Sequence, residues 1–320
     1  MVRQRFFLKI LFFLIFIPTM VWASSGSAGI SAFDFLEISP IARATAMGGA
    51  YAALGNDIGS IYYNPAGLAD ILTTQVDVTY LDLYQNISDE FFAFAYPLKP
   101  KLSSIGGTFA AALNLIQTGS FPRLDDFGNN IGSFTSGMDE FMLAYAKSLG
   151  SRVQFGLTAK FLNQQIDQIS QSAFAMDIGT LILPPVSGMR IGLAIQNLGG
   201  TVNNFNLPCM LLAAVSYRKY DLFSYQDDGA FTVQTTVPIQ PVGQTPEVQV
   251  GAEYNYKLVG QRFSLRGGYQ FLNNSLQGIG MTLGAGYGVD FNGAVVFIDY
   301  AFEPAGVFGN SNRISLITKF

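Results

Sequence analysis

The chain contains no histidine and a single cysteine, Cys209. Those two absences exclude an internal disulfide, zinc sites built from His and Cys, and any acid–base or nucleophilic apparatus that runs through an imidazole. Charge is scarce too: Asp, Glu, Lys and Arg make up 12% of the residues, about half the share usual in soluble domains. So thin a coat of charge suits a surface that does not face water. The net charge of −4 supports neither nucleic acid nor an anionic lipid surface as a partner. No Gly-Lys-Ser/Thr phosphate loop occurs, and Gly284, Gly286 and Gly288 of GAGYG continue a strand pattern instead of opening a helix. The acidic pairs Asp125-Asp126 and Asp227-Asp228 lack EF-hand spacing. The expectation is a non-enzyme with no catalytic residue, no metal and no cofactor.

What is abundant points elsewhere. The chain has 28 Phe, 15 Tyr and 34 Gly, a mixture suited to strands that face an oily medium and turn sharply. At the N-terminus Arg3, Arg5 and Lys9 precede the apolar run Ile10 to Ile17, and Val21-Trp22-Ala23 offers a cleavage point. Residues 1–23 are expected to be a secretory signal peptide cut after Ala23. The run is broken by Pro18 and is shorter than the roughly 20 residues that a membrane-crossing helix needs. No later run is longer.

From residue 75 onward the pattern is alternation. In EVQVGAEYNYKL, Val248, Val250, Ala252, Tyr254, Tyr256 and Leu258 occupy one parity, and Glu247, Gln249, Glu253, Asn255 and Lys257 the other. Phe263, Leu265, Tyr269 and Phe271 oppose Arg262, Ser264, Arg266 and Gln270 in the same way, and Val153, Phe155, Leu157 and Phe161 oppose Arg152, Gln154, Thr158 and Lys160. Period two sustained over about ten residues is the signature of a tilted strand crossing a bilayer. Parsed throughout, the pattern predicts fourteen strands: 75–84, 89–98, 103–116, 138–149, 151–164, 172–183 and 188–197, then 209–218, 229–238, 246–258, 262–271, 278–288, 292–302 and 312–320. Connections after odd-numbered strands are mostly long and those after even-numbered strands mostly short, the asymmetry of outer loops and periplasmic turns. Residues 219–228 depart from it, being long on the short side. The fold class expected is all-β, a transmembrane antiparallel β-barrel over 75–320. A soluble antiparallel sandwich also alternates, but does not explain the leader, the scarce charge and the loop asymmetry together.

A barrel of fourteen strands has a lumen wider than its own side chains fill. Residues 24–74 lack strand alternation and are rich in Ala and Gly, with a helix start at Ser39-Pro40. They are expected to form an N-terminal hatch inside the barrel, and Asn64-Pro65-Ala66-Gly67 to turn the chain from that plug into the first wall strand. The other reading is a periplasmic tail.

The stretch ARATAMGGAYAALGNDIGSIYYNPAGLA (Ala42 to Ala69) resembles the N-terminal signature of the PorV/PorQ group of outer-membrane proteins, within the superfamily of FadL-like long-chain fatty acid transporters. AMDIGTLI, GLAIQNLGG, IDYAFEP and GNSNRISLITKF are similar to that group's later landmarks. The resemblance implies a fourteen-stranded barrel with a hatch in the outer membrane of a Gram-negative-type bacterium. Its C-terminal strand, ending in Phe320, would be read by the barrel-assembly machinery. Two roles follow. Likeness to PorV implies a type IX secretion adaptor, with a translocon and secreted proteins as partners. Likeness to FadL implies a channel for hydrophobic small molecules such as fatty acids.

Three sets of candidate site residues result. The hatch motif comprises Arg43, Gly48, Gly49, Asp57, Asn64, Pro65, Ala66 and Gly67. Phe33, Phe35, Leu36, Ile38 and Met47 are candidate apolar ligand contacts, or else core. The inward parity places Arg152, Lys160, Arg190, Glu253, Arg262 and Arg266 on the lumen face, a lining that is either wet or ion-paired to the hatch.

Overall fold

The structure is a computed structural model that describes residues 31–83, 86–98, 106–242, 244–271 and 280–320. The expected signal peptide, with its cut after Ala23, lies outside the described residues.

Fourteen antiparallel strands close into one barrel. The first seven are β1 Gln75–Asp82, β2 Ile87–Pro97, β3 Thr108–Thr118, β4 Ser136–Leu149, β5 Val153–Ile166, β6 Ile169–Ile182 and β7 Met189–Gly199. The second seven are β8 Cys209–Tyr220, β9 Asp227–Gln240, β10 Glu247–Leu258, β11 Gln261–Phe271, β12 Met281–Phe291, β13 Ala294–Pro304 and β14 Asn310–Lys319. Each pairs with its sequence neighbour, and β1 closes the ring on β14, Gln75 lying opposite Lys319. Phe320 continues that seam, its amide donating to the Thr74 carbonyl at 2.9 Å. Closure leaves the barrel without an edge strand, so its ladder amides and carbonyls pair from strand to strand around the ring.

The alternation decides which face looks out. Phe92, Phe94 and Tyr96 of β2, Leu265 of β11, Ile298 of β13 and Leu316 of β14 are among the large apolar side chains left exposed. Their neighbours of opposite parity, such as Phe91, Arg266, Asp299 and Ser315, are buried. Apolar outside and polar inside is the inverse of a soluble protein and suits a lipid surround.

Several boundaries differ from the sequence expectation. β8 and β9 extend further than alternation suggests, shrinking the anomalous periplasmic connection to Asp221–Gln226. There Asp227 accepts the amides of Leu222 and Phe223 and ties the turn. The long outer connection between β3 and β4 carries a small hairpin, Phe121–Leu124 against Asn130–Phe134. Arg152 is not on the lumen wall: it sits exposed in the tight turn before β5, which begins at Val153. Parity alone cannot tell the last residue of a turn from the first of a strand.

Residues 31–74 precede the first strand. Their elements are a 3₁₀ turn Asp34–Glu37, helices α1 Ala42–Ala46 and α2 Ser60–Tyr63, and a 3₁₀ helix Pro65–Asp70. The helix expected at Ser39-Pro40 starts later: the Ser39 hydroxyl accepts the amide of Ile41, and α1 follows. It stops after five residues, with Gly48 and Gly49 at φ 65° and 76°. α1 packs on β11 to β14, while the Pro65–Asp70 helix packs on β3 to β6 across the bore. Ala44, Met47, Ala53, Ile58, Ile61 and Leu68 are almost completely buried.

Candidate functional site

The bore is organised in levels from its outer end, where the long connections lie, to its inner end. Outermost is an apolar cluster formed by Phe33 and Leu36 with Ile116, Met138, Leu162 and Leu207. Phe33 is 1% exposed and holds a left-handed backbone, φ 60° and ψ 44°, a conformation disfavoured for a bulky side chain. Phe35 packs against the same cluster. Of the five candidate apolar contacts, the structure brings these three together. Ile38 is half-buried, and its carbonyl and that of Leu36 lie 2.8 and 2.7 Å from the Tyr62 hydroxyl. Met47 belongs to the deeper core.

One level inward is a row of buried polar side chains on six consecutive strands: Asp89, Asn114, Glu140, Lys160, Asp177 and Asn197. The ammonium of Lys160 lies 3.1 Å from Glu140, 3.0 Å from Asp177 and 2.9 Å from the Asn197 side chain. The ladder between β6 and β7 shifts register at Asp177, whose carboxylate instead takes the Asn197 amide at 2.7 Å. Of this row the sequence reading named only Lys160. Its acidic partners sit at inward parity, so the signal was there once a lumen was assumed.

The middle level is the contact between segment and wall. Six inward glycines, Gly156, Gly179, Gly192, Gly251, Gly268 and Gly284, meet it so closely that a Cβ at any of them would come within 3.0 Å of a segment atom. Gly156 faces the Pro65–Ala66 peptide, Gly192 the Ala52 carbonyl, and Gly268 the Met47–Gly48 peptide. Glycine is the residue that allows a second backbone to approach this near. Asn64 is the hub. Its carboxamide oxygen caps the 3₁₀ helix by accepting the Ala66 amide at 3.1 Å, and its nitrogen donates to Ala52 at 2.7 Å and to Thr180 at 3.2 Å. Pro65 follows at the first helical position, where no amide is needed. Gly67 crosses Gly55, whose neighbour Asn56 donates its amide to the Gly67 carbonyl. On the wall, Gln234 accepts the amides of Tyr51 and Ala52 at 3.1 and 2.9 Å.

Below it is an ion-paired latch. Arg43 binds Asp57 at 2.5 Å and clasps Glu253 of β10 with two hydrogen bonds, 2.7 and 2.8 Å. The Tyr51 hydroxyl also donates to Asp57. Burial alone would lower the Arg43 guanidinium; Glu253, Tyr51 and Asp57 more than reverse it and hold the group charged. Arg266 and Arg218 reach the same Glu253 at 2.8 and 3.1 Å, so three guanidiniums share one carboxylate. Arg190 fixes the end of the Pro65–Asp70 helix by pairing with Asp70 and donating to the Leu54 carbonyl. The latch opens into an inner chamber of about 670 Å³, lined in part by Arg190, Arg218, Glu253, Arg262 and Arg266. That volume lies within the range of small-molecule sites.

No protein-family model matches the chain, and no curated protein matches it significantly in sequence. Solved structures do resemble it. The toluene transporter TodX of Pseudomonas putida matches with a TM-score of 0.61 at 10% identity, over 87% of this chain and 96% of its own. The toluene transporter TbuX of Ralstonia pickettii matches with a TM-score of 0.57 at 14% identity, again over 87% and 96%. A Pseudomonas aeruginosa FadL homologue matches at 0.53 and 10% identity, over 88% and 97%. At such identities the likeness establishes the fold alone: a closed fourteen-stranded antiparallel barrel like those of these outer-membrane proteins. The expected PorV/PorQ membership and the secretion-adaptor role, with a translocon and secreted proteins as partners, draw no support from these likenesses.

Proposed function

We propose that this FadL-type barrel is a passage for hydrophobic small molecules across the outer membrane, with residues 31–74 acting as its hatch. The observation that carries the reading is the apolar cluster of Phe33 and Leu36 at the outer end of the bore, with the row of buried polar side chains around Lys160 just inward of it. An apolar solute would find there a dry apolar surface that water does not supply. The structures of similar fold include proteins described as toluene transporters. Lys160 and Arg266 are paired within the row and the latch, while Arg190 and Arg262 face the inner chamber.

The Arg43 latch is the contact to test. Replacing Arg43 alone would strand Asp57, whose Oδ1 already lacks a partner, and an uncompensated buried charge costs about 3–5 kcal/mol. The double variant Arg43→Met/Asp57→Asn avoids that cost and still frees the segment from Glu253. In cells whose lipopolysaccharide outer leaflet retards toluene, the wild-type barrel is expected to raise toluene uptake above that of cells without it, and the double variant to raise it severalfold further. Uptake no faster than without the barrel for both, with each still folded, defeats the proposal.

A further inference from the structure

We propose that the row of buried polar side chains beneath the apolar cluster holds a calcium ion between Asp89, Asn114 and Glu140. The inference goes beyond the passage and stands without it. Three neighbouring strands supply the donors. Asn114 of β3 lies directly opposite Glu140 of β4, and on β2 Asp89 stands two residues from Phe91, the partner of Asn114 on its other side. Asp89 and Glu140 are 0% exposed and Asn114 1%. Lys160 spends its donors on one oxygen of Glu140, on Asp177 and on the Asn197 carboxamide. Both carboxylate oxygens of Asp89, the carboxamide of Asn114 and the second oxygen of Glu140 are left without a hydrogen bond among the described residues. Glu140 and Asn114 nevertheless lie near enough to act on Asp89. Arg313 acts on it too, but its guanidinium is committed to Glu303, Ser311 and the Ser39 carbonyl.

Charge decides what fits. Asp89, Glu140 and Asp177 bring three negative charges to the row and Lys160 one positive, an excess of two at positions closed to water. Uncompensated charge is costly at such burial. A divalent cation cancels it and takes the idle oxygens, whereas a monovalent one leaves half of the excess. Two carboxylates and a carboxamide oxygen are hard donors with neither sulfur nor imidazole among them, which suits calcium and not zinc. Calcium also accepts irregular surroundings that magnesium does not, and carbonyls or water complete its shell. Among the described residues no three acidic side chains gather as a metal site, so the Asn114 carboxamide is what makes this one. The ion would lie directly under the apolar cluster: Asn114 stands two residues from Ile116, Glu140 from Met138 and Lys160 from Leu162, all of them buried. Tyr62, whose hydroxyl bonds to the Leu36 carbonyl, places its ring centre 5.5 Å from the Lys160 ammonium. A cation here ties three strands together beneath Phe33 and Leu36.

The test is calcium retention by the full-length barrel in detergent. Refolding in calcium chloride loads the bore whatever the access from outside, and equilibrium dialysis against radioactive calcium then gives stoichiometry and affinity. The wild type is expected to hold one ion per chain with a Kd of about 10 μM or below. Asp89→Asn removes one charge, leaves the pairs of Lys160 in place and is expected to weaken binding at least about tenfold. Asn114→Leu changes no charge and should weaken it as well. Asp126→Asn, in the exposed tip of the outer hairpin, leaves the affinity as it is. Heat-modifiable mobility verifies that each variant is folded. A folded wild type that retains no calcium overturns the site and assigns the excess charge to bound protons. Retention undiminished in both Asp89→Asn and Asn114→Leu also overturns it, since the ion is then held elsewhere.

Discussion

Glu37 stands near the start of the described chain, in the 3₁₀ turn that follows Phe33, and its carboxyl is pushed up to about 7. Loss of water on the packed side of the carboxyl is the main cause, although the residue keeps an exposed side; Asp34 and Glu247 add to it, and the Gln244 side chain opposes them. An acid raised by folding favours the native state fully below its unfolded value, near 4.5 here, and that contribution is lost as pH climbs toward 7. The turn should therefore be held more firmly at pH 5 than at pH 8. Hydrogen exchange at residues 34–38, corrected for its intrinsic pH dependence, is expected to show the loosening. Glu37→Gln should flatten the profile; an unchanged profile in that variant would assign the effect to another group. Glu37 also shows what residue-level reading overlooks. Nothing in its neighbours along the chain says that Glu247 lies close by, because that proximity exists only once the barrel has closed.

At the scale of elements, the pieces inside the bore are too short to stand alone. A five-residue helix such as α1 does not repay its own nucleation, and α2 has four residues. They persist because the wall holds them, through the Gln234 hydrogen bonds and the glycine contacts. Gly156→Val puts a branched side chain against the Pro65–Ala66 peptide while suiting strand β5 itself. The expected result is severalfold faster proteolysis within residues 55–72, with the heat-modifiable mobility of the barrel preserved because β5 stays paired with β4 and β6. Equal protease resistance would mean that the close approach at Gly156 contributes little. The strands were legible in the sequence, since alternation is a local property and all fourteen predicted strands coincide with observed ones. Their ends were not: Arg152, Tyr220 and Asp227 show that turn hydrogen bonds, not hydropathy, set the limits.

For the whole molecule, wall and filling are separable in principle. Every strand finds its partners in its two neighbours, so the ring does not need the inner segment for its ladder hydrogen bonds. Removal of residues 31–70 should leave a heat-modifiable barrel whose single-channel conductance in planar bilayers rises from near zero to that of an open pore, because a fourteen-stranded bore exceeds what side chains fill. A truncated barrel that folds and stays closed would contradict the picture of a plugged cylinder.

The sequence by itself determined the barrel, its strand number and which face meets lipid. Each of these follows from period-two alternation and from connection lengths, which are read along the chain. The tertiary structure alone decided which charges neutralise one another, why Gly156, Gly192 and Gly268 stand where they do, and how Asp89, Asn114 and Glu140 come to lie on neighbouring strands. Those relations join residues dozens to hundreds of positions apart. They depend on the register and closure of the ring, and no local pattern encodes a distance across a lumen.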